Sequence, residues 1–478
     1  MTTHKPLHIT LESEDFSCAH VEISRLTGVE RISQLFQFDL EIVSSAEEAP
    51  ERQSMAGASA TLVFERDGRE VRRLHGMISQ VTEGMDREAD TRAFRLRFVP
   101  RAHRLSLVES QEIYMDVTVP DLLRRLFALV DLGDDVDVQV HSNARKHEFV
   151  VQYKETDLAF VSRLAEHYGL SFFWRHEDGR DRVLFTEGSG FPRLESRPQI
   201  PLRPRGERQD IYHLEVETRL IPLTYAIVDY NYRKPRLDLT ATHDAPHGFA
   251  GGVAEYGTHV KTPAEAAQFA QIRAEERECQ REVFAGQSDV CELTAGATVE
   301  IEAGKQGDLD VLIVEVVHRA TQVTRMHGEA TSGYENDFRA IPANLTYRPP
   351  RVTPRPRIAG IVNGIIEQPD GASDRYALID RHGRYQVRFL FDTAAPGERR
   401  ASRPVRMAQP SAGAGMGMHF PLRPGTEVIM AFVDGDPDRP IILSAVPNAV
   451  TPSPVTSTNS LKNQIRTASG VTLEIKDS

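Results

Sequence analysis

Five prolines, Pro342, Pro349, Pro350, Pro354 and Pro356, fall within residues 341–357. Each removes a backbone donor and fixes its own φ, so this stretch cannot run through a helix or the middle of a sheet. It reads as a stiff, extended connector. The connector splits 478 residues into a long first part and a shorter second part, a length that favours two to four domains.

The first part reads mostly as strands. Residues 60–66 and 69–81 flank Asp67-Gly68, a turn pair whose two residues accept positive φ and which therefore predicts a hairpin. Phe94, Leu96 and Phe98 alternate with Arg95 and Arg97, giving a sheet one apolar and one charged face. A second hairpin is expected from 170–176 and 182–187, turning near Asp178-Gly179. Three helices interrupt the strands. One starts at Pro120 and carries Leu122, Leu123, Leu126, Phe127 and Val130 on one face. Another starts near Thr156-Asp157, carries Leu158, Val161, Leu164, Ala165 and Tyr168, and stops at Gly169. The third opens on a capping box, Thr262 to Glu265, with Pro263 in its first turn. Its amphipathicity fades after Arg273, which predicts a solvated second half.

Beyond the connector, strands are expected at 358–366, 376–380, 385–391, 405–408, 427–433 and 441–446. Five or six short strands in about 90 residues describe a small barrel of the OB type. The tail, 451–478, ends on Val471, Leu473 and Ile475 alternating with polar residues. No second strand for it is evident within the chain, so either it joins other chains or the sequence stops before its partners do. The fold class is mainly β with a few helices, an α+β arrangement.

The formal charge of −12 disfavours a phosphate-backbone partner. Residues 351–450 carry 13 arginines against 10 acidic residues, so the acidic excess lies in the first 350. Cys18, Cys279 and Cys291 show no metal-ligand or redox spacing, which fits buried thiols in a reducing compartment. MTTHKPLHITLESEDF has no apolar h-region, so no secretory signal peptide is expected. No stretch approaches the roughly 20 apolar residues of a membrane helix.

Motif-like segments divide into weak ones and an absent class. Ser411–Met418 (SAGAGMGM) is glycine-rich, but no helix N-terminus follows it, so it reads as a loop between strands. Asp434-Gly435-Asp436-Pro437-Asp438 resembles part of a calcium loop, yet Arg439 and Ala445 stand where Gly and Glu are required. It reads as a tight turn. His243-Asp244-Ala245-Pro246-His247 reads as a solvated loop, and His141 and His147 carry less support still. Arg163, Glu166 and His167 lie off their helix's apolar stripe and read as a solvated face. No G-x-S-x-G, H-E-x-x-H or Walker motif occurs. No catalytic, cofactor-binding or metal residue is therefore assigned.

Two longer segments carry a resemblance. In FVVQYKETDLAFVSRLAEHYGLSFFWRHEDGRDRVL, residues Gln152, Tyr153, Glu155, Thr156, Asp157, Phe160, Arg163, Leu164, Glu166 and Gly169 fit Q-Y-x-E-[ST]-D-x-x-F-x-x-R-L-x-E-x-x-G. Glu427-Val428, Phe432 and Gly435-Asp436-Pro437-Asp438-Arg439-Pro440-Ile441 form the second. Both resemble the VgrG family, the spike proteins of bacterial type VI secretion systems. The chain departs from the family at Ser402-Arg403-Pro404-Val405, where Cys-Trp is usual, and near Met416, where a tryptophan is usual.

The resemblance implies a hub at 1–345 made of two tube-like β-barrels with helical insertions. It implies a Pro-rich linker at 346–357, an OB-fold domain at 358–450, and the start of an intertwined trimeric β-helical needle at 451–478. The family's needle normally runs on for many more strands. The implied function is structural and not enzymatic: a hub and membrane-puncturing spike that caps the inner tube and delivers effectors. Implied partners are two further copies in a homotrimer, a Hcp-like hexameric tube protein, baseplate proteins and, if the needle is complete, a PAAR-type tip protein and effector cargo. Transient membrane penetration is implied, with no nucleic-acid partner and no cofactor. The resemblance also implies assembly in the cytoplasm followed by export through the machine. A related phage-like contractile injection system, or a spike-associated hydrolase such as a lysozyme, remain the alternatives.

Overall fold

The structure, a computed structural model, describes residues 7–45, 47–84, 91–140, 145–205, 209–324, 332–367, 378–393, 402 and 404–477. It divides into two compact units. The first comprises Met1–Val108, Val119–Ala144 and Asp157–Thr353, and the second Glu109–Thr118, Arg145–Thr156 and Pro354–Ser478.

A twelve-stranded sheet organises the first unit. Ten strands follow one path: His8–Glu12, Ser59–Arg66, Arg69–Gly84, Thr91–Val99, Gln37–Ser45, Glu22–Arg31, Leu309–Thr321, Gly333–Pro342, Glu282–Ser288 and Ile211–Thr218. Gln199–Pro201 and Thr298–Glu302 branch from Leu309–Thr321. The expected hairpin forms at Asp67 and Gly68, whose φ values are 52° and 72°. In Thr91–Val99 the alternation does what its pattern requires. Phe94, Leu96 and Phe98 are buried among Phe36, Phe38 and Leu40, while Arg97 pairs with Asp39 at 3.0 Å on the other face.

Two apolar cores share this sheet. One gathers the strands before residue 100. The other gathers Ile200, Val299, Ile301, Ile313 and Phe338. They meet where Glu22–Arg31 runs antiparallel to Leu309–Thr321, with Val29 opposite Val317.

The helices are α1 (Arg52–Met55), α2 (Val119–Leu129), α3 (Asp157–Tyr168) and α4 (Pro263–Glu278). Thr262 caps α4 by accepting from the backbone N–H of Glu265 at 3.3 Å. Two expectations need correction. The second half of α4 is not solvated: Arg273, Ala274, Glu276 and Glu278 are buried, because each charge finds a partner. On α3, Arg163 and Glu166 are buried as well. No helix among the described residues is long and apolar enough to cross a membrane.

The second unit holds a four-stranded sheet in the order Gln386–Phe389, Val362–Glu367, Glu427–Phe432 and Pro440–Ala445. Single bridges join Tyr385 to Val405 and Met407 to Ile442. Residues 376–377 of the expected strand 376–380 lie outside the described residues, and Asp380 sits in a turn, accepting from the N–H groups of His382 and Arg384. Residues 411–418 form a small hairpin, with Gly413 opposite Met416.

Part of the sequence before residue 345 belongs to this second unit. Glu109–Tyr114 pairs with Val150–Thr156, and Phe149 and Val151 enter a core with Tyr385, Val387, Phe389, Val428 and Met430. The hub range of 1–345 is thus interrupted, since these apolar side chains find their neighbours beyond residue 358. At the tail, Thr472–Lys476 does have a partner in its own chain. It pairs with Lys462–Arg466, a strand whose lone apolar residue, Ile465, hid it from a reading by periodicity.

Candidate functional site

The first motif is built on α3 and on the strand before it. Phe160, at 0% exposure, fixes the helix in the core, and the Arg163 guanidinium lies 4.9 Å from the Phe160 ring centroid. Glu166, on the face read as solvated, instead accepts from the backbone N–H of Thr353 at 2.9 Å and from its hydroxyl at 2.6 Å. Burial raises its pKa, and the bonds from Thr353 oppose that rise. Gly169 ends the helix at φ 67°, where a Cβ would stand 2.8 Å from Ile272 and 3.0 Å from Arg348. The bare backbone there lets Arg348 donate to the carbonyl of Gly169 at 2.8 Å. His167 lies against Tyr168 and Phe269, with Arg273 at 3.2 Å from its Nδ1.

Around these groups the start of the connector is bound by ion pairs. Arg348 meets Glu275 at 2.7 Å, and Arg351 meets Glu255 at 2.8 Å and Glu276 at 3.0 Å. Glu255 also receives Arg273 at 3.0 Å. Burial opposes ionisation of Glu255, but the two guanidinium groups overcome it and hold its carboxyl below the usual range.

The second motif is a tight turn, as its prolines require, and its carboxylates are occupied. Asp434 and Gly435 take φ values of 56° and 72°. Arg355 lies 3.0 Å from Asp436 and 3.5 Å from Asp438. Asp438 accepts from the backbone N–H of Val151 at 2.7 Å, and Asp436 from that of Asp438 at 3.0 Å.

A third polar cluster lies between the two cores of the first unit. Glu30 pairs with Arg72, stands 2.9 Å from His318 Nε2, and accepts from the Thr294 hydroxyl at 2.6 Å. His318 Nδ1 meets the Tyr334 hydroxyl at 2.6 Å, and Asn336 donates to the same oxygen at 3.1 Å. Burial disfavours the Glu30 anion, but Arg72 and His318 together hold its carboxyl far below the usual carboxylate range. Nothing in the sequence marked this cluster, because its members are spread from residue 30 to residue 336.

The remaining candidates separate. His247 pairs with Glu278 at 2.7 Å, while Asp244 accepts from Thr224 at 2.7 Å, so the two groups serve different neighbours. His147 sits in a backbone bridge with Val117, and His141 lies outside the described residues. The three cysteines are free, and burial pushes the Cys279 and Cys291 thiols up to about 12.

The tail hairpin presents two unlike faces. Leu461, Ile465, Val471, Leu473 and Ile475 fall on one and are 48–68% exposed. The other carries Lys462, paired with Glu474 at 3.0 Å.

The fold resembles that of the Escherichia coli c3393 protein, with a TM-score of 0.66 at 23% identity over 92% of this chain and 99% of that one. That protein is described as a component of the type VI secretion system with structural similarity to the T4 bacteriophage tail proteins gp27 and gp5. A chain of the Francisella PdpA–VgrG complex also matches, with a TM-score of 0.64 at 7% identity over 100% of this chain and 76% of that one.

Residues 29–324 match the phage tail baseplate hub (GPD) model, and residues 377–446 match the type VI secretion system/phage-baseplate injector OB domain. The chain belongs to the phage tail baseplate hub family. Among its relatives is the type VI secretion system spike protein VgrG4b of Pseudomonas aeruginosa, 29% identical over 458 residues, 91% of this chain and 55% of that protein. Another is spike protein VgrG3 of Vibrio cholerae, 28% identical over 438 residues, 88% of this chain and 42% of that protein. The chain spans about half the length of such relatives.

Proposed function

We propose that this chain forms the hub and the root of the spike of a type VI secretion system or a related contractile injection machine, acting as a homotrimer. The observation that carries the trimer is the tail hairpin: one face apolar and wet, the other charged and internally paired. Three copies about an axis would turn the apolar faces inward and begin an intertwined β-helix. Burial there would contribute roughly 1.5–3 kcal/mol for each large side chain before entropy is subtracted.

In this reading the first unit supplies tube-like barrels that cap a hexameric tube, and the OB unit closes into a barrel. The acidic excess before residue 350 supports placing the tube-docking surface in the hub. Baseplate proteins, a tip protein and effector cargo are the other partners. The protein is made in the cytoplasm and leaves with the machine, crossing a membrane when the sheath contracts. It performs no chemistry; its contribution is rigidity, symmetry and a platform for cargo.

Light scattering tests the reading directly. The expected mass is three times 53.5 kDa. Removing residues 455–478 weakens the trimer without abolishing it. A monodisperse monomer at micromolar concentration overturns the proposal.

A further inference from the structure

The connector poses a mechanical problem. Between Tyr347 and Ile358 four prolines leave few backbone donors, and among the described residues no strand pairs with the stretch to share load through a ladder. Within the first unit the backbone bonds to this stretch are few: Tyr347 donates to the Gly188 carbonyl at 2.9 Å, Arg348 to Cys279 Sγ at 3.4 Å and Thr353 to Glu166 at 2.9 Å. In the second, Ile358 donates to the Gly435 carbonyl at 2.7 Å. Side-chain bonds hold the rest: Glu275, Glu276 and Glu255 pair with Arg348 and Arg351, while the two sequence motifs supply Gly169 to Arg348, Glu166 to Thr353, and Asp436 and Asp438 to Arg355.

We propose that the two motifs are two grips on one connector: Glu166 and Gly169 hold Thr353 and Arg348, Asp436 and Asp438 hold Arg355, and their role is to carry force rather than to bind a ligand. That force is axial rests on the spike function proposed above; that the motifs grip the connector does not.

Three features favour gripping over incidental packing. The motif glycine also makes room for the connector: at φ 67° a Cβ on Gly169 would stand 2.8 Å from Ile272 and 3.0 Å from the Arg348 side chain. A Cβ at Gly188 would likewise come within 2.2 Å of the Tyr347 carbonyl oxygen. Glu166 spends both carboxylate oxygens on one connector residue, Thr353. Arg348, Arg351 and Arg355 are each held by more than one acceptor, so a pull on the chain must break several charge-assisted bonds together. Asp438 extends the second grip to Val151, which directly precedes the first motif in sequence.

Hydrogen exchange on the full-length assembled protein, with mass and export measured in parallel, tests this. Glu166→Ala should speed exchange at the Thr353 amide at least tenfold, and Arg355→Ala should do the same at Ile358. Thr353→Val removes the hydroxyl bond from the connector side and serves if Glu166→Ala misfolds. Each variant should keep its oligomeric mass and lose at least tenfold in release from the host cell by the machine. Unchanged exchange overturns the gripping role. Fast exchange with undiminished export overturns the force-bearing role. A monomeric wild type overturns the spike reading instead, while the exchange result still decides the grip.

Discussion

Thr91–Val99 and Thr472–Lys476 carry the same alternation of apolar and polar residues, and they end in opposite environments. Phe94, Leu96 and Phe98 are 2%, 1% and 0% exposed, whereas Leu473 and Ile475 are 59% and 61% exposed. Both strands are paired through their backbones. Pairing alone therefore does not bury a side chain; a second layer must cover the face. In the first unit neighbouring strands and loops supply that layer. For the tail hairpin, the described residues supply none.

The sharpest test of this contrast is truncation on the covered side. Phe98→Ala removes a ring packed against Phe36 and Phe38 and should lower unfolding free energy by about 4 kcal/mol, read from the urea midpoint. A loss under about 1 kcal/mol would mean that this sheet face does not act as a core despite its burial.

Slightly smaller is the effect at the seam between the two cores. Glu30→Ala leaves Arg72 buried without its anion, and stability should fall by about 3 kcal/mol. Replacing Glu30 and Arg72 together by apolar residues should recover much of that loss. If the single and double variants fall equally, the cluster does not couple the halves.

The pH response is smaller again. His318 and His176 both have pKa values lowered by burial, His176 to about 3. Because the folded state favours the neutral rings, the unfolded chain takes up protons first as pH drops below about 6.5. Stability is thus full above that pH and declines towards pH 3, with carboxylates such as Glu30 adding only below about 4.5. His176 keeps part of its ring accessible, which trims its share. Urea midpoints between pH 7 and 5 should fall in the wild type, and the slope should flatten in His318→Gln.

What the sequence made legible follows the range of the interaction. Hairpins at Asp67-Gly68 and Asp178-Gly179 were readable because a turn is decided by its own residues, and the cap at Thr262 by residues three apart. Glu166 was misread as solvated because its partner is Thr353, and the charged end of α4 because Arg351 and Glu255 complete it. Periodicity reports which residues share a face and not what covers that face. The same limit sent residues 109–118 and 145–156 to the wrong unit, since their core neighbours begin at Ile358. The candidate site was legible as motifs but not as contacts.

The smallest expected effect completes the comparison. Leu473→Ala makes the same kind of change as Phe98→Ala, at a strand position with the same alternation. Within one chain Leu473 covers little apolar surface, so unfolding free energy should change by no more than about 0.5 kcal/mol. The hairpin keeps its cross-strand pair with Ile465 only in part, which adds at most a few tenths. Assembly should respond differently. If three copies bury these faces together, Leu473→Ala removes one apolar contact per chain, and the trimer should dissociate at higher concentration than the wild type. Sedimentation across a dilution series reads that shift, while the urea midpoint under dissociating conditions reads the chain alone. A large loss in the isolated chain would mean the tail face is already covered, and the contrast between the two strands would disappear.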